Sequence, residues 1–128
     1  EILPPACQAA IGIQTLDEDS DVIRLISKTN NKNSAIIGLA ERTVLGTLQA
    51  NCNSPVGVLA SIDDEKDFTI KVELFSHNGR EKYFTEVHGK VEDSNKLAKE
   101  AGANIIDKVG YEYIKKLDNL EDDFNYSP

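Results

Sequence analysis

Few side chains in this sequence could do chemistry, and the most prominent is a cysteine in a loop. Cys52 lies in the polar stretch NCNSP, between a stretch with helical apolar spacing and one with strand character. A cysteine acts as a nucleophile through its thiolate. Just past a helix C-terminus, the helix dipole disfavours that thiolate. Position alone therefore favours an unreactive loop cysteine, and a reactive role would require a cation or hydrogen-bond donor from elsewhere.

The other candidate ligands do not combine into a known site. His77 and His88 are not at metal-ligand spacing with either cysteine, and we interpret them as ordinary surface or strand histidines. The stretch LDEDSD at residues 16–21 lacks the central glycine and the distal glutamate of a calcium loop. GxSxG, GxGxxG, HExxH and Walker motifs are absent from the sequence. The sequence therefore predicts no metal site and marks no catalytic residue.

Composition narrows the classes of partner. The 128 residues carry a formal net charge of -8, and the pI is ≈ 4.7. Nucleic-acid binding needs a basic face for phosphates, and docking on anionic lipid also needs basic residues. No apolar run approaches the roughly 20 residues that span a bilayer. We therefore expect no nucleic-acid partner and no membrane partner.

Sulfur-containing residues bear on the compartment and the origin of the chain. Two cysteines do not make a disulfide scaffold, so we predict a reduced, cytoplasmic protein. A single bridge between Cys7 and Cys52 is the open alternative. The chain has no methionine and begins at Glu1, which predicts a piece of a longer protein.

Apolar spacing predicts the elements that precede the cysteine loop. AAIGIQ at residues 9–14 is short, apolar and partly β-branched, and is predicted to be a buried strand. Helical spacing follows in DVIRLISKT. A second helix, capped by Asn33 or Ser34, is predicted to end near Gln49. Its apolar stripe consists of Ile36, Ile37, Leu39, Ala40, Val44, Leu45 and Leu48.

After the cysteine loop the apolar period changes to two. VGVLASI and DFTIKVELF have strand character. Asn78-Gly79 predicts a type I′ hairpin, in which both central residues need positive φ, and KYFTEVHGKV is the partner strand. A last helix is predicted over residues 95–117. The predicted fold class is α+β: a three-stranded antiparallel sheet covered on one face by helices and preceded by a strand and a helix.

The stretch ERTVLGTLQANCNSPVGVLASI resembles the cofactor-attachment segment of the porphobilinogen deaminase family, also called hydroxymethylbilane synthase. The family pattern is Glu-Arg, a helix with leucines, Leu-Glu-Gly-Gly-Cys, two variable residues, Pro and an Ile/Val-Gly/Ala strand. A second stretch, LPPACQAAIGIQ, is similar to the family's Leu-Pro-x-x-Gly-Gln-Gly-x-Ile/Leu-Gly-Ile-Glu. The resemblance covers about residues 3–118. The matching positions are Leu3, Pro4, Gln8, Ile11, Gly12, Ile13, Glu41, Arg42, Leu45, Leu48, Cys52, Pro55, Val56 and Gly57.

Both stretches depart from the family pattern at glycines. Ala50 and Asn51 replace the two glycines before the cysteine, and Cys7 and Ala9 replace the two glycines around Gln8. Glycine permits positive φ and close approach of the backbone. The conformation of both stretches is therefore open on the sequence alone.

The resemblance implies a three-domain transferase of porphyrin and heme biosynthesis. Such an enzyme joins four porphobilinogen molecules into the linear tetrapyrrole hydroxymethylbilane and releases ammonia. It implies that Cys52 holds a dipyrromethane primer through a thioether, since sulfur can capture the methylene carbon left when ammonia departs. Gln8 is a second candidate for cofactor binding, and its alternative role is to cap the end of a strand.

The same resemblance implies what the chain lacks. The family's catalytic aspartate and carboxylate-binding arginines belong to the first two domains, so we expect no catalytic residue in this piece, and neither activity nor primer when it is alone. Porphobilinogen is expected to bind through the missing domains, and the full-length protein is expected to be a monomer. Glu41 and Arg42 are expected to form an exposed ion pair or to contact neighbouring domains.

Domain boundaries follow from the same resemblance. Residues 1–30 are expected to be a remnant of the first domain, residues 31–118 the C-terminal domain that carries the cofactor, and residues 119–128 an acidic tail. A strand at residues 9–14 cut from its sheet leaves backbone groups unpaired. We expect disorder there, packing on the C-terminal domain, or self-association. Two alternatives stay open: a non-catalytic α+β interaction module with a structural cysteine, and a degenerate homologue that no longer loads a primer.

Overall fold

A computed structural model describes residues 2–118 of the chain. These residues form four α-helices and one sheet of three strands. In chain order the elements are α1 (Ser20–Ile26), α2 (Lys32–Leu48), β1 (Val56–Ile62), β2 (Asp67–Phe75), β3 (Lys82–Lys90), α3 (Ser94–Val109) and α4 (Tyr111–Asp118). The acidic tail predicted at residues 119–128 lies outside the described residues. None of the helices in that described part combines the length and the apolar character that spanning a bilayer requires.

The sheet is an antiparallel meander in the order β1-β2-β3, as predicted. Val58 pairs with Val72 across the first ladder, and Ile70 pairs with Val87 across the second. These side chains are buried on one face, where α2 and α3 cover the sheet. The α+β fold class is thereby confirmed. The largest fully buried side chains are Phe68, Leu48, Ile70, Leu74, Ile105, Ile114, Val44, Val58 and Val72.

Helix α2 ends where the sequence predicts but begins earlier. Its N-cap is Asn31, whose side-chain oxygen accepts a hydrogen bond from Ser34 N at 2.9 Å. The predicted caps, Asn33 and Ser34, therefore lie in the first turn. At the other end Gln49 adopts a left-handed conformation with φ 54°. Several neighbouring polar residues can cap a helix equally well, so propensity alone could not select among them.

The last predicted helix is in fact two helices. A break at Gly110, where φ is 80°, separates α3 from α4. Glycine takes this positive φ without steric cost. Both helices still contribute to one core, because Ile105 in α3 and Ile114 in α4 are fully buried.

The hairpin between β2 and β3 forms at Asn78-Gly79, but with a different turn from the predicted type I′. Gly79 has φ 68°, whereas Asn78 has no positive φ. The loop is wider, with Ser76 N donating to Glu81 O at 2.9 Å and Gly79 N to Ser76 O at 2.8 Å. The Asn78 side chain accepts a hydrogen bond from Arg80 N at 3.0 Å. That local bond stabilises the wider loop.

Residues 9–30, which we call the exposed segment, form a helix but no strand. The prediction of a strand at residues 9–14 is wrong, because residues 10–16 have no regular secondary structure. A strand needs a paired neighbour to satisfy its backbone groups. Helix α1 forms with Asp19 as N-cap, yet none of its residues is buried. Only Thr15 and Ile26 in the whole segment are even half-buried.

Candidate functional site

Cys52 is exposed, and both it and Cys7 are free, so the alternative of a bridge between them is wrong. Cys52 lies in a tight turn in which Ser54 N donates to Asn51 O at 3.2 Å. Two side chains brace the turn: Ser54 Oγ accepts from Asn51 N at 2.7 Å, and Asn51 Oδ1 accepts from Asn53 N at 2.7 Å. The thiol is therefore presented on a turn whose shape is set by its own polar groups.

The cysteine loop is fixed at both ends. On its N-terminal side, Ala50 N donates to Leu45 O at 2.9 Å, which closes α2 with a Schellman motif. On its C-terminal side, Phe75 N in β2 donates to Pro55 O at 3.0 Å. The position of Cys52 therefore follows that of the packed domain.

The two residues that stand where the family pattern has glycine do not need a glycine conformation in this loop. Neither Ala50 nor Asn51 has a positive φ; the left-handed residue is Gln49. A left-handed conformation costs an L-residue about 1–2 kcal/mol. The strain lies one position before the substituted glycines, and the turn that holds the thiol is intact.

Gln8, the second predicted site residue, is exposed in a turn of its own. Its N–H donates to Pro5 O at 3.2 Å. Its neighbours Cys7 and Ala9 have φ of 60° and 66°, at positions where the family pattern has glycine. Two L-residues in the left-handed region are strained by about 1–2 kcal/mol each. Contacts elsewhere must hold this turn in place.

Helix α2 separates the two predicted site residues. Cys7 Sγ donates to Gly38 O, in the first half of α2, at 3.5 Å. Cys52 instead follows the last residue of the helix, Leu48. From residue 38 to residue 48 an α-helix rises about 15 Å. Gln8 and Cys52 are therefore anchored to opposite halves of α2.

Cys7 does not compete with Cys52 as a nucleophile. Burial raises the pKa of the Cys7 thiol, the carboxylate of Glu41 raises it further, and Arg42 opposes them. Cys7 is also half-buried, whereas Cys52 is exposed. Of the two thiols, Cys52 is therefore the more accessible to an electrophile in solution.

Sequence reasoning missed the role of Glu41. The residue is only 5% exposed, so the predicted exposed ion pair with Arg42 is wrong. Its Oε2 accepts from Cys7 N at 2.6 Å, and its Oε1 accepts from Ala60 N at 2.9 Å. Glu41 thus joins α2 to β1, the two elements that flank the cysteine loop. A signal was available, since Glu41 is one helical turn after Ile37 and lies on the apolar stripe.

Glu73 is a second buried carboxylate, 3% exposed. It accepts from Leu3 N at 3.0 Å through Oε2 and from Lys82 Nζ at 2.9 Å through Oε1. Burial opposes its ionisation, but these donors and the lysine charge outweigh burial, and the pKa of Glu73 is lowered. Alternation along β2 predicts the solvent face for this residue. Leu3 covers that face, packed so closely that a Cβ on Gly57 would lie 2.9 Å from Leu3 Cβ.

The histidines and acidic residues of the described part of the chain are not grouped as metal ligands. Among residues 2–118, no group of three or more His, Cys, Asp or Glu side chains is placed to hold a metal ion. His88 lies on the open face of β3, 3.0 Å from Thr69 Oγ1 and 3.4 Å from Glu86 Oε1. Its position agrees with the prediction of an ordinary strand histidine.

Comparison with known proteins agrees with the resemblance seen in the sequence. Residues 35–107 match the family model described as porphobilinogen deaminase, C-terminal domain. The chain is similar to the porphobilinogen deaminases of Staphylococcus aureus strains bovine RF122 / ET3-1, MRSA252 and JH9, with 29% identity over 116 residues in each case. Each alignment covers 91% of this chain and 37% of the relative. The chain therefore spans little more than a third of the length of the curated relatives it matches.

Proposed function

We propose a function from one premise: the chain belongs to the porphobilinogen deaminase family, and it contains that family's C-terminal domain. On this premise the chain is the part of a tetrapyrrole-forming transferase that carries the covalent primer, and Cys52 is the attachment point. The observation that supports this assignment best is the exposure of Cys52 on a braced turn between two packed elements.

The proposed attachment replaces ammonia with sulfur. Cys52 Sγ forms a bond to the aminomethyl carbon of a pyrrole, the carbon–nitrogen bond of that group breaks, and ammonia leaves with the thiol proton. The step is a substitution, so it requires no oxidant and no reductant. Since a thioether is a stable link, the same cysteine would serve every turnover. When bound, the dipyrromethane supplies the pyrrole carbon onto which new units are added.

The residues around Cys52 fit a thioether-linked group. The hydrogen bonds that brace the turn are made by backbone groups and by the side chains of Asn51 and Ser54. Alkylation of the Cys52 sulfur breaks none of these bonds. The loop can therefore keep its shape with the primer attached, and Glu41 continues to hold together the elements on either side of it.

Proton transfer and carboxylate binding are assigned to domains outside this chain. Porphobilinogen carries two carboxylate groups, and recognising them takes cationic side chains. Arg24, Arg42 and Arg80 are all exposed, and Arg24 is already 3.3 Å from Asp21. We expect this chain alone to be unprimed and inactive. Porphobilinogen would bind through the other domains of a monomeric, cytoplasmic enzyme.

The exposed segment is assigned to another domain of the longer protein. Its apolar side chains are bare: Ile11 is 93% exposed, Leu16 77% and Leu25 62%. Apolar surface of this kind usually marks a contact site. The alternative is self-association through residues 9–14. A sedimentation coefficient that rises with the concentration of this chain would favour self-association, and a constant value would favour the missing domain.

The attachment is tested by the intact mass of the longer protein. We expect the wild type to exceed its sequence mass by one dipyrromethane, Cys52→Ser to lose the increment, and Cys7→Ser, the matched control, to keep it. Ehrlich's reagent should colour the first and third proteins only. An active wild type with no added mass would contradict the proposal. An inactive, unmodified and folded wild type would favour the degenerate homologue or the interaction module.

A further inference from the structure

Residues 2–8 are attached to the C-terminal domain, although the sequence assigns them to another domain. We call them the docked segment. Leu3, Pro4, Ala6 and Cys7 are half-buried, and Ala6 packs against the core. Four hydrogen bonds anchor this segment: Leu3 N donates to Glu73 Oε2 at 3.0 Å, Val58 N to Pro4 O at 2.9 Å, Cys7 N to Glu41 Oε2 at 2.6 Å and Cys7 Sγ to Gly38 O at 3.5 Å.

Two of the four anchoring bonds are accepted by buried carboxylates of the domain. Glu41 is 5% exposed and Glu73 is 3% exposed, and each uses its other oxygen to bind a group of the sheet. A buried carboxylate is stable only when donors surround it. The N–H groups of Leu3 and Cys7 supply half of these donors. The domain therefore needs the docked segment to satisfy its own interior charges.

The docked segment also protects the edge of the sheet. Strand β1 is an edge strand, and alternate N–H groups point away from β2. Val58 N donates to Pro4 O, and Ala60 N donates to Glu41 Oε1, the carboxylate that holds Cys7. An uncovered edge would leave these donors open to pairing with another chain. The docked segment therefore covers part of the open edge of the sheet along β1.

The attachment stops abruptly after Gln8. No residue in the exposed segment is buried, whereas the docked segment is anchored at both its ends. The chain leaves the domain beside Gly38 of α2, where Cys7 is held, and returns at Lys32, where α2 begins. Exit and return therefore lie on the same half of one helix.

We propose that the domain boundary lies between Gln8 and Ala9. The docked segment is part of the C-terminal domain and is held there by Glu41 and Glu73. Residues 9–30 are an insertion that is connected at both ends to α2. Glu41 is a positioning residue, because it links the docked segment, α2 and β1. In the longer protein the cysteine-carrying domain would be joined to this insertion by two adjacent connections, which restrict its rotation more than one linker would. This inference does not depend on the primer.

Amide hydrogen exchange in the 128-residue chain tests whether Glu41 and Glu73 hold the docked segment. The reporter is Val58 N–H, which is bonded to Pro4 O and touches neither carboxylate. We expect Glu41→Gln and Glu73→Gln each to accelerate Val58 exchange by about tenfold or more, since loss of either anchor releases the docked segment from the sheet. Leu59 N–H, which faces β2, is the internal reference and should be unchanged. Glu86→Gln is the matched control on the open face of the sheet and should change neither amide.

Two outcomes would contradict this role of the carboxylates. Unchanged Val58 exchange in both variants would show that Glu41 and Glu73 do not hold the docked segment. Equal acceleration of Val58 and Leu59 would show that the whole strand opens.

Alkylation of Cys7 gives a second measurement. In a Cys52→Ser background, iodoacetamide should modify Cys7 about tenfold faster when Glu73→Gln is added. Glu73 is not among the groups that raise the pKa of the Cys7 thiol, so faster alkylation would indicate release of the docked segment. An unchanged alkylation rate would contradict the proposal even if Glu41→Gln does not fold.

Discussion

The exposed segment and the sheet contain the same kinds of apolar side chain but bury them very differently. Ile11 is 93% exposed and Ile13 59%, whereas Ile70 in β2 is 0% exposed. Hydrophobicity does not explain the difference, since the residue type is identical. Ile70 lies in the buried core, where α3 packs on β2, whereas no residue of the exposed segment is buried. An apolar pattern thus shows that a surface is suited to burial, and a partner decides whether it is buried.

The largest effect on stability is expected when an isoleucine is replaced by alanine in each of the two regions. Ile70→Ala removes a fully buried side chain and should lower the free energy of unfolding by about 2–5 kcal/mol. Ile11→Ala should change it by less than about 0.5 kcal/mol, because that side chain is already in water. Urea denaturation of both variants measures the contrast. Similar losses would mean that the exposed segment packs on the domain in solution.

A smaller effect on stability is expected when alanine replaces two glycines that differ in their surroundings. A Cβ on Gly102 would lie 2.7 Å from Thr47 Cγ2, where α3 packs on α2, whereas a Cβ on Gly12 would meet nothing within 4 Å. Gly102→Ala should cost about 1–3 kcal/mol through overpacking, and Gly12→Ala should be nearly neutral. The midpoints of thermal unfolding would show the difference. A neutral Gly102→Ala would mean that the two helices can move apart at little cost.

The last effect concerns the docked segment and is confined to acid pH. Burial, which raises the pKa of Glu73, is outweighed by the donors from Leu3 and Lys82, so the pKa is lowered on folding. The resulting stabilisation is complete above the ordinary glutamate pKa of about 4.3 and is lost as pH falls through the lower, folded value. The stability advantage of wild type over Glu73→Gln should therefore shrink in that acid range. An advantage that is constant or grows at low pH would contradict this account.

Most of the sheet could be predicted, because its residues obey local rules. Alternation in DFTIKVELF and the Asn78-Gly79 turn depend on nearest neighbours, and the strands lie where those signals predict. Two of the wrong predictions have different causes. The strand predicted at residues 9–14 has no partner strand among residues 2–118, and a strand needs one. The Asn-Gly pair predicts a turn but does not fix its width, and in the observed wider loop Asn78 Oδ1 accepts a hydrogen bond from Arg80 N.

The proposed attachment site was predictable in part. Cys52 could be singled out because the resemblance to a family fixes its place in a motif. The anchoring roles of Glu41 and Glu73 could not, because each depends on residues more than 30 positions away, at Cys7 and Leu3. Long-range hydrogen bonds of this kind leave no period in the sequence. Only the position of Glu41 on the apolar stripe of α2 hints at its burial.

Peptide mapping of the longer protein tests the central claim most directly. Trypsin cuts after Arg42 and Lys66, so Cys52 falls in the peptide of residues 43–66, and Cys7 falls in a separate peptide that ends at Arg24. We expect the mass of a dipyrromethane on the first peptide and none on the second. An active protein whose peptide of residues 43–66 has only its sequence mass would contradict the assignment of Cys52.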